Sequence, residues 1–390
     1  MKKFAKKAKT AVPMLLFIVI GGICGFLIAH YMDTVWAEES IGKILFMAAG
    51  MLVMLYAGIF LQIILHEGGH LVFGLLTGYR FSSFRVGSLM WVKRGGKLHF
   101  SRYSLAGTGG QCLLAPPELK DGKYPYKLYN MGGSLVNLIT GVFFACLAAA
   151  FPEESLLFVF FVLMAVTGIS FAAMNGIPMR LGTVDNDGYN ACSIGKNPAA
   201  LRAFWVQMKM NQQVSEGIRM KNMPEEWFRM PAEEEMKNSM VSVLGVMACG
   251  RLMDEHRFED AEREMERLLS MEAGIVGVHK NLLKADLMFC EMVKENRKER
   301  LDALFDQEQK KFMRMMKRFP SIIRTEYVYA LLVEKDAAKA EEIRGRFEKD
   351  MRKYPYPTEV EAERELMEYA DILYVRNKKL GGSSCITQNQ

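Results

Sequence analysis

The sequence predicts an α-helical membrane protein: about four spans with a small β-hairpin insertion, followed by an all-α cytosolic domain. Three observations carry this. Four stretches, 11–31, 43–77, 128–151 and 156–174, are apolar over a length that can cross a bilayer, which takes roughly 20 residues. Residues 1–190 hold 16 Lys and Arg against 10 Asp and Glu, and the rest of the chain is balanced, so the net charge of +6 belongs to the apolar part. Beyond residue 190 the chain turns charged and helix-forming, rich in Glu, Lys, Arg, Met, Leu and Ala.

Taken in order, the first span follows the basic start "MKKFAKKAK". Its "VWA" before Glu38 could mark a signal-peptide cleavage, but the apolar run is long for one, and a retained anchor is expected. The second span is longer than a crossing needs, so its last turns, from His66 to Thr77, should approach one face of the bilayer. Basic residues crowd the loop after it, from Arg80 to Lys127, whereas "MDTVWAEES" and "PEES" are acidic. The positive-inside rule then places both termini and that loop in the cytosol of a multi-pass cell-membrane protein, with a bacterial cytoplasmic membrane expected. The charge is a topology signal, and no nucleic acid is expected as a partner.

Between the second and third spans, "RFSSFRVGSLMWVK" and "KLHFSRYSL" read as two strands joined at Arg94-Gly95-Gly96-Lys97, a hairpin over about 79–104. The loop is too short to hold a PDZ domain as well. His99 in the hairpin reads as a surface histidine. Segments such as "GRLMDEHRFEDAEREMERLL" and "YALLVEKDAAKAEEIRGRFEKDM" suggest helix pairs of a tetratricopeptide-like kind in a domain over 191–378, crossing at Ala261 and Ala340, with an ordinary bundle as the alternative. The Met and Phe stripes read as core. The end, 379–390, reads as a disordered tail.

The second span contains "LHEGGH". Ionisable groups at membrane depth are costly and are expected to face a partner or cavity. On a helix, His66 and His70 at i and i+4 share a face and can both present a ring nitrogen to one divalent ion, with Glu67 beside them to act as general base on a water. Gly68 and Gly69 would let a neighbouring helix approach. Two histidines leave zinc short of a protein ligand, and the stretch after the fourth span, "MNGIPMRLGTVDNDGYN", offers Asp185 and Asp187. Asp187 is favoured because Gly188 permits a tight turn beside a metal.

The HExxH helix, the Gly-rich start of the next helix, and a later helix ending in Asn and followed by Pro and Asp-Gly together resemble the site-2 protease family of intramembrane zinc metalloproteases. The resemblance covers roughly 43–190. It implies Zn²⁺ held by His66, His70 and Asp187, with Glu67 catalytic and Asn175 steadying the substrate backbone or orienting the site. Asn137 in "GGSLVN" matches a family position where Asn follows Gly-Pro, although Ser134 here replaces the Pro, and a plain interhelical hydrogen bond is the alternative. The Asn175-to-Asp187 stretch is longer than the family's and carries Asn186 where Leu is usual. The substrate expected is a membrane-spanning or hydrophobic peptide in the lipid bilayer, held in extended form by an edge strand. The helical domain is expected to bind a cytosolic protein partner. The alternative function is a non-proteolytic zinc-containing membrane scaffold. Glu67 argues against it, because metal binding alone needs no carboxylate there. A metal transporter is disfavoured for want of polar residues across the spans.

Overall fold

Long apolar runs free of Pro have one way to satisfy their backbone in a bilayer, and they take it as helices. The computed structural model describes residues 15, 18–26, 28–30, 33, 40–103, 108–153, 155–181 and 184–384. Among them, three helices are long and apolar enough to cross a membrane: α1 (Ile41–Leu76), α2 (Tyr126–Ala148) and α3 (Leu156–Gly176). They correspond to the expected second, third and fourth spans. The expected first span, 11–31, lies partly outside the described residues; its described parts, 15, 18–26 and 28–30, are helix. The outer faces carry exposed Phe46, Val53, Tyr56 and Phe143, the distribution that suits a lipid-facing surface.

α1 has 36 residues, or about 54 Å at 1.5 Å per residue, well beyond a bilayer core of about 30 Å. The surplus carries His66, Glu67 and His70 near its C-terminal end. There α1 crosses α2 almost backbone to backbone. A Cβ at Gly132 would lie 2.5 Å from the Gly69 carbonyl oxygen, and one at Gly69 would collide with the Gly132 carbonyl. Gly68 meets nothing within 4 Å. The close approach is therefore made by Gly69 alone, not by both glycines of the expected pair.

The insertion is a four-stranded sheet rather than a single hairpin: β1 (Arg80–Val86), β2 (Leu89–Arg94), β3 (Lys97–Arg102) and β4 (Gly110–Ala115), in the order β3-β2-β1-β4. The expected first strand is broken at Gly87-Ser88, where Gly87 takes φ +57°. Gly95 and Gly96, at φ +56° and +75°, make the expected Gly-Gly turn, both central residues left-handed as a tight hairpin requires. β4 pairs antiparallel with β1, Val86 opposite Gly110, and it forms the second edge of the sheet. A two-stranded ribbon, β5 (Arg180–Leu181) with β6 (Val184–Asp185), follows α3 and leads into α4 (Asp187–Ser193).

The chain divides into two compact units, Met1–Trp91 with Ser104–Leu201, and Val92–Tyr103 with Arg202–Gln390. The boundary lies at Leu201 rather than at 190, and the second half of the hairpin groups with the helical unit. That unit contains α5 (Pro198–Ser215, at the boundary), α6 (Ser239–Asp254), α7 (Phe258–Ser270), α8 (Gly277–Val293), α9 (Lys298–Leu304), α10 (Gln307–Met315), α11 (Pro320–Val328), α12 (Ala337–Met351) and α13 (Pro357–Ser384). α13 runs into the stretch expected to be a disordered tail; 385–390 lie outside the described residues. His256, Asn296 and Lys335 take positive φ between α6 and α7, α8 and α9, and α11 and α12, so each turn uses one left-handed residue to reverse the chain. Ala261 and Ala340 are buried, and the core is built from the expected Met and Phe stripes, including Met265, Met288, Phe289 and Phe347. Arg324 is buried among them between Asp286 and Glu363, its guanidinium over the Phe289 ring.

Candidate metal centre

His66, Glu67 and His70 are all buried at the C-terminal end of α1. The rings of the two histidines are fixed by what their Nδ1 atoms touch. His66 Nδ1 lies 2.7 Å from Asn137 Oδ1 on α2, and His70 Nδ1 lies 2.7 Å from the carbonyl oxygen of Tyr129 on the same helix. Each Nδ1 must then carry its proton and donate, leaving Nε2 as a bare lone pair. The Asn137 orientation is set in turn: its Nδ2 donates to the Gln62 Oε1 at 2.7 Å and to the Gln62 carbonyl at 3.0 Å, and Gln62 Nε2 donates to Met164 O at 3.1 Å. Gln62 and Asn137 are fully buried, so a reversed amide would face donor against donor, and the chain of bonds has one consistent direction.

The third donor comes from the far side of α3. Asn186 caps the N-terminus of α4 with its Oδ1, which accepts from Tyr189 N and from Met179 N, both at 2.9 Å. Its Nδ2 donates to Met174 O at 2.8 Å and Ile177 O at 2.6 Å. Every hydrogen-bonding position of this amide is used, tying the end of α3 to the start of α4. Gly188 completes the joint by close approach: a Cβ there would strike the Gly176 carbonyl and lie 3.1 Å from that of Asn175. The expected reason for this glycine, a special turn conformation, is replaced by packing, since its φ is not positive. Asp187, held between Asn186 and Gly188, turns its carboxylate to the histidines.

The three donor atoms form a nearly equilateral triangle: Nε2 to Nε2 is 3.2 Å, His66 Nε2 to Asp187 Oδ2 3.2 Å, and His70 Nε2 to Asp187 Oδ2 3.4 Å. Tetrahedral bonds of about 2.0–2.1 Å, as zinc makes to N and O donors, imply donor-to-donor edges of about 3.3–3.4 Å. The residues therefore fit a divalent ion, and the cluster could bind one. Asp187 supplies the carboxylate oxygen of the cluster, its Oδ2 facing both Nε2 atoms. Asp185, the other candidate, is the last residue of β6 and pairs with Arg180; it is not part of the cluster.

Glu67 lies one residue from the first histidine, and its carboxylate takes part in no hydrogen bond among the described residues. It is walled by β4: a Cβ at Gly110 would come within 2.5 Å of Glu67 Oε1. The wall is clamped by Arg85, which is almost fully buried and donates to Gly87 O at 2.7 Å, to Thr108 Oγ1 and to Gly110 O at 3.2 Å. In the sequence Arg85 reads as one of the topology charges and Asn186 as a departure from Leu; Gln62, a polar residue one turn before His66 in an apolar span, leaves a readable trace, and Gly110 leaves none. Asn175 donates its Nδ2 to Phe171 O at 3.0 Å, within its own helix, and reaches Gly188 through its backbone. No family model, curated protein or solved structure matches the chain.

Proposed function

We propose that the chain is an intramembrane metallo-endopeptidase of the site-2 protease type, hydrolysing a peptide bond of a membrane-embedded or membrane-proximal substrate near the cytosolic face. The observation that carries this reading is the triangle of converging donor atoms with a carboxylate beside it that makes no hydrogen bond among the described residues. Metal storage or structural bracing would need the triangle and not Glu67. His66, His70 and Asp187 would hold zinc, which when bound supplies Lewis-acid polarisation of a carbonyl and acidifies water. Glu67 takes the proton of the attacking water and returns it to the leaving amine. The Asn137–Gln62 chain and the Tyr129 carbonyl keep both imidazoles in one tautomer through the cycle.

A helical peptide bond is shielded by its own hydrogen bonds, so the substrate must arrive extended. β4 is the edge strand that starts against Glu67, and a segment adding to that edge would be carried past the carboxylate. This supports β4 as the substrate-pairing edge strand. The helical unit, read as helix pairs of a tetratricopeptide-like kind, serves in this proposal to bind a cytosolic partner. Metal analysis tests the ligand set: after zinc reconstitution and removal of free metal, His66→Ala, His70→Ala and Asp187→Ala should lose zinc, and Asp185→Ala should keep it. A wild-type chain that takes up no zinc would sink the reading.

A further inference from the structure

At one corner of the second unit four cations meet around a cavity whose lining holds no carboxylate, the nearby Glu348 acting on Arg352 from outside it. Arg94 and Arg102 come from the β2–β3 hairpin and Arg352 and Lys353 from the α12–α13 connection, and they line a cavity of about 570 Å³ that contains no acidic residue. Elsewhere in this unit guanidinium groups sit against carboxylates: Arg219 with Asp254 and Glu365, Arg297 with Glu291, Arg324 with Asp286 and Glu363. The corner is built rather than incidental. Ser101 Oγ donates to the Lys353 carbonyl, and the Tyr103 ring meets Tyr354 edge to face at 5.6 Å. Holding like charges around one cavity raises the energy of the empty corner, and an anion that enters it relieves that repulsion.

We propose that this cavity receives the phosphate headgroup of an anionic phospholipid. Guanidinium forks match phosphate oxygens in pairs, which accounts for the arginines. The second feature of the corner is apolar: β3, an edge strand, exposes Leu98 at 62% and Phe100 at 58%, and Phe100 itself lines the cavity. Basic residues interleaved with exposed apolar ones suit the boundary between headgroups and acyl chains, and a soluble phosphate would have no use for Leu98 and Phe100. In the chain, only Thr77–Tyr79, the strand β1 and Gly87-Ser88 separate the end of the membrane helix α1 from this hairpin, β1 being roughly 20–25 Å long, a tether too short to carry the hairpin far from the bilayer surface. The inference is independent of the hydrolase reading.

The test uses the full chain in nanodiscs of phosphatidylcholine alone or with phosphatidylglycerol, with amide hydrogen exchange read on peptides covering 97–102 and 352–355. Phosphatidylglycerol should slow exchange several-fold in both segments. The variant with Arg94→Gln, Arg102→Gln, Arg352→Gln and Lys353→Gln should lose that slowing while its core helices α8 and α11 keep wild-type protection, which controls for folding. Leu98→Ser with Phe100→Ser should weaken it. Equal exchange in the two lipids would overturn the proposal. So would equal slowing by inorganic phosphate added to phosphatidylcholine nanodiscs, which would mark a site for a soluble anion, or slowing that survives in the four-fold variant.

Discussion

His66 and His70 present their Nε2 atoms to one point because each Nδ1 is held by an acceptor on α2. Removing the acceptor at Asn137 frees the His66 ring to change tautomer and orphans Gln62 in a buried setting. Asn137→Ala should weaken zinc binding about 10–100-fold, read by competition with a chelating dye. Asn137→Asp, which keeps an acceptor toward His66, should weaken it less. In the helical unit, burial raises the Glu359 carboxyl to about 7, against a lowering bond from Tyr354 and a further push from Glu363. A carboxyl raised on folding contributes stability below its unfolded pKa, and loses it as pH rises through the folded value. Glu359→Gln, which keeps a neutral acceptor for Tyr354, should therefore stabilise the unit at about pH 8, by of order 2 kcal/mol, and have little effect at about pH 4. Thermal melting at the two pH values checks this; equal effects at both would show that the carboxyl is not raised.

The elements meet through glycines, and the cost of filling those gaps is what fixes their spacing. Gly69→Ala would push a methyl group into the Gly132 carbonyl, and Gly188→Ala into that of Gly176. Backbone cannot move aside as a side-chain tip can, so each should cost about 1–3 kcal/mol or more and should also lower zinc occupancy, because the first moves α2 with Asn137 and the second moves Asp187. Gly68→Ala, with nothing near it, is the matched control and should keep full occupancy. The elements differ in how far the chain announces them. HExxH is legible because an i, i+4 pair needs only one helix. The sequence favours Asp187 over Asp185 for the conformational freedom of Gly188, whereas what seats it is the four-bonded Asn186 amide and a packing contact of Gly188 on Gly176, which depend on how the chain folds back between the end of α3 and the start of α4. β4, "GQCLLA", is too short to show a clear alternation, and the Gly87-Ser88 break is hidden inside a continuous β-forming run. Both appear only when β1 has a partner on each side.

At the scale of the whole molecule, sequence composition separated an apolar unit from a charged helical one, because burial in lipid and burial in a water-soluble core demand different outer surfaces. It did not show that Val92–Tyr103 groups with the helical unit, since that depends on Ser101 and Tyr103 meeting residues some 250 positions later in the chain. The central claim is that this architecture exists to place Glu67 beside a bound metal and cut a peptide. The direct measurement is cleavage of single-span substrates in detergent or nanodiscs by wild type and Glu67→Gln, each loaded to the same zinc occupancy. The account predicts stoichiometric zinc in both and cleavage by wild type alone, with the rate of Glu67→Gln lower by at least about 10²-fold. Cleavage by Glu67→Gln at the wild-type rate, or wild-type cleavage that persists after the metal is stripped, would contradict it.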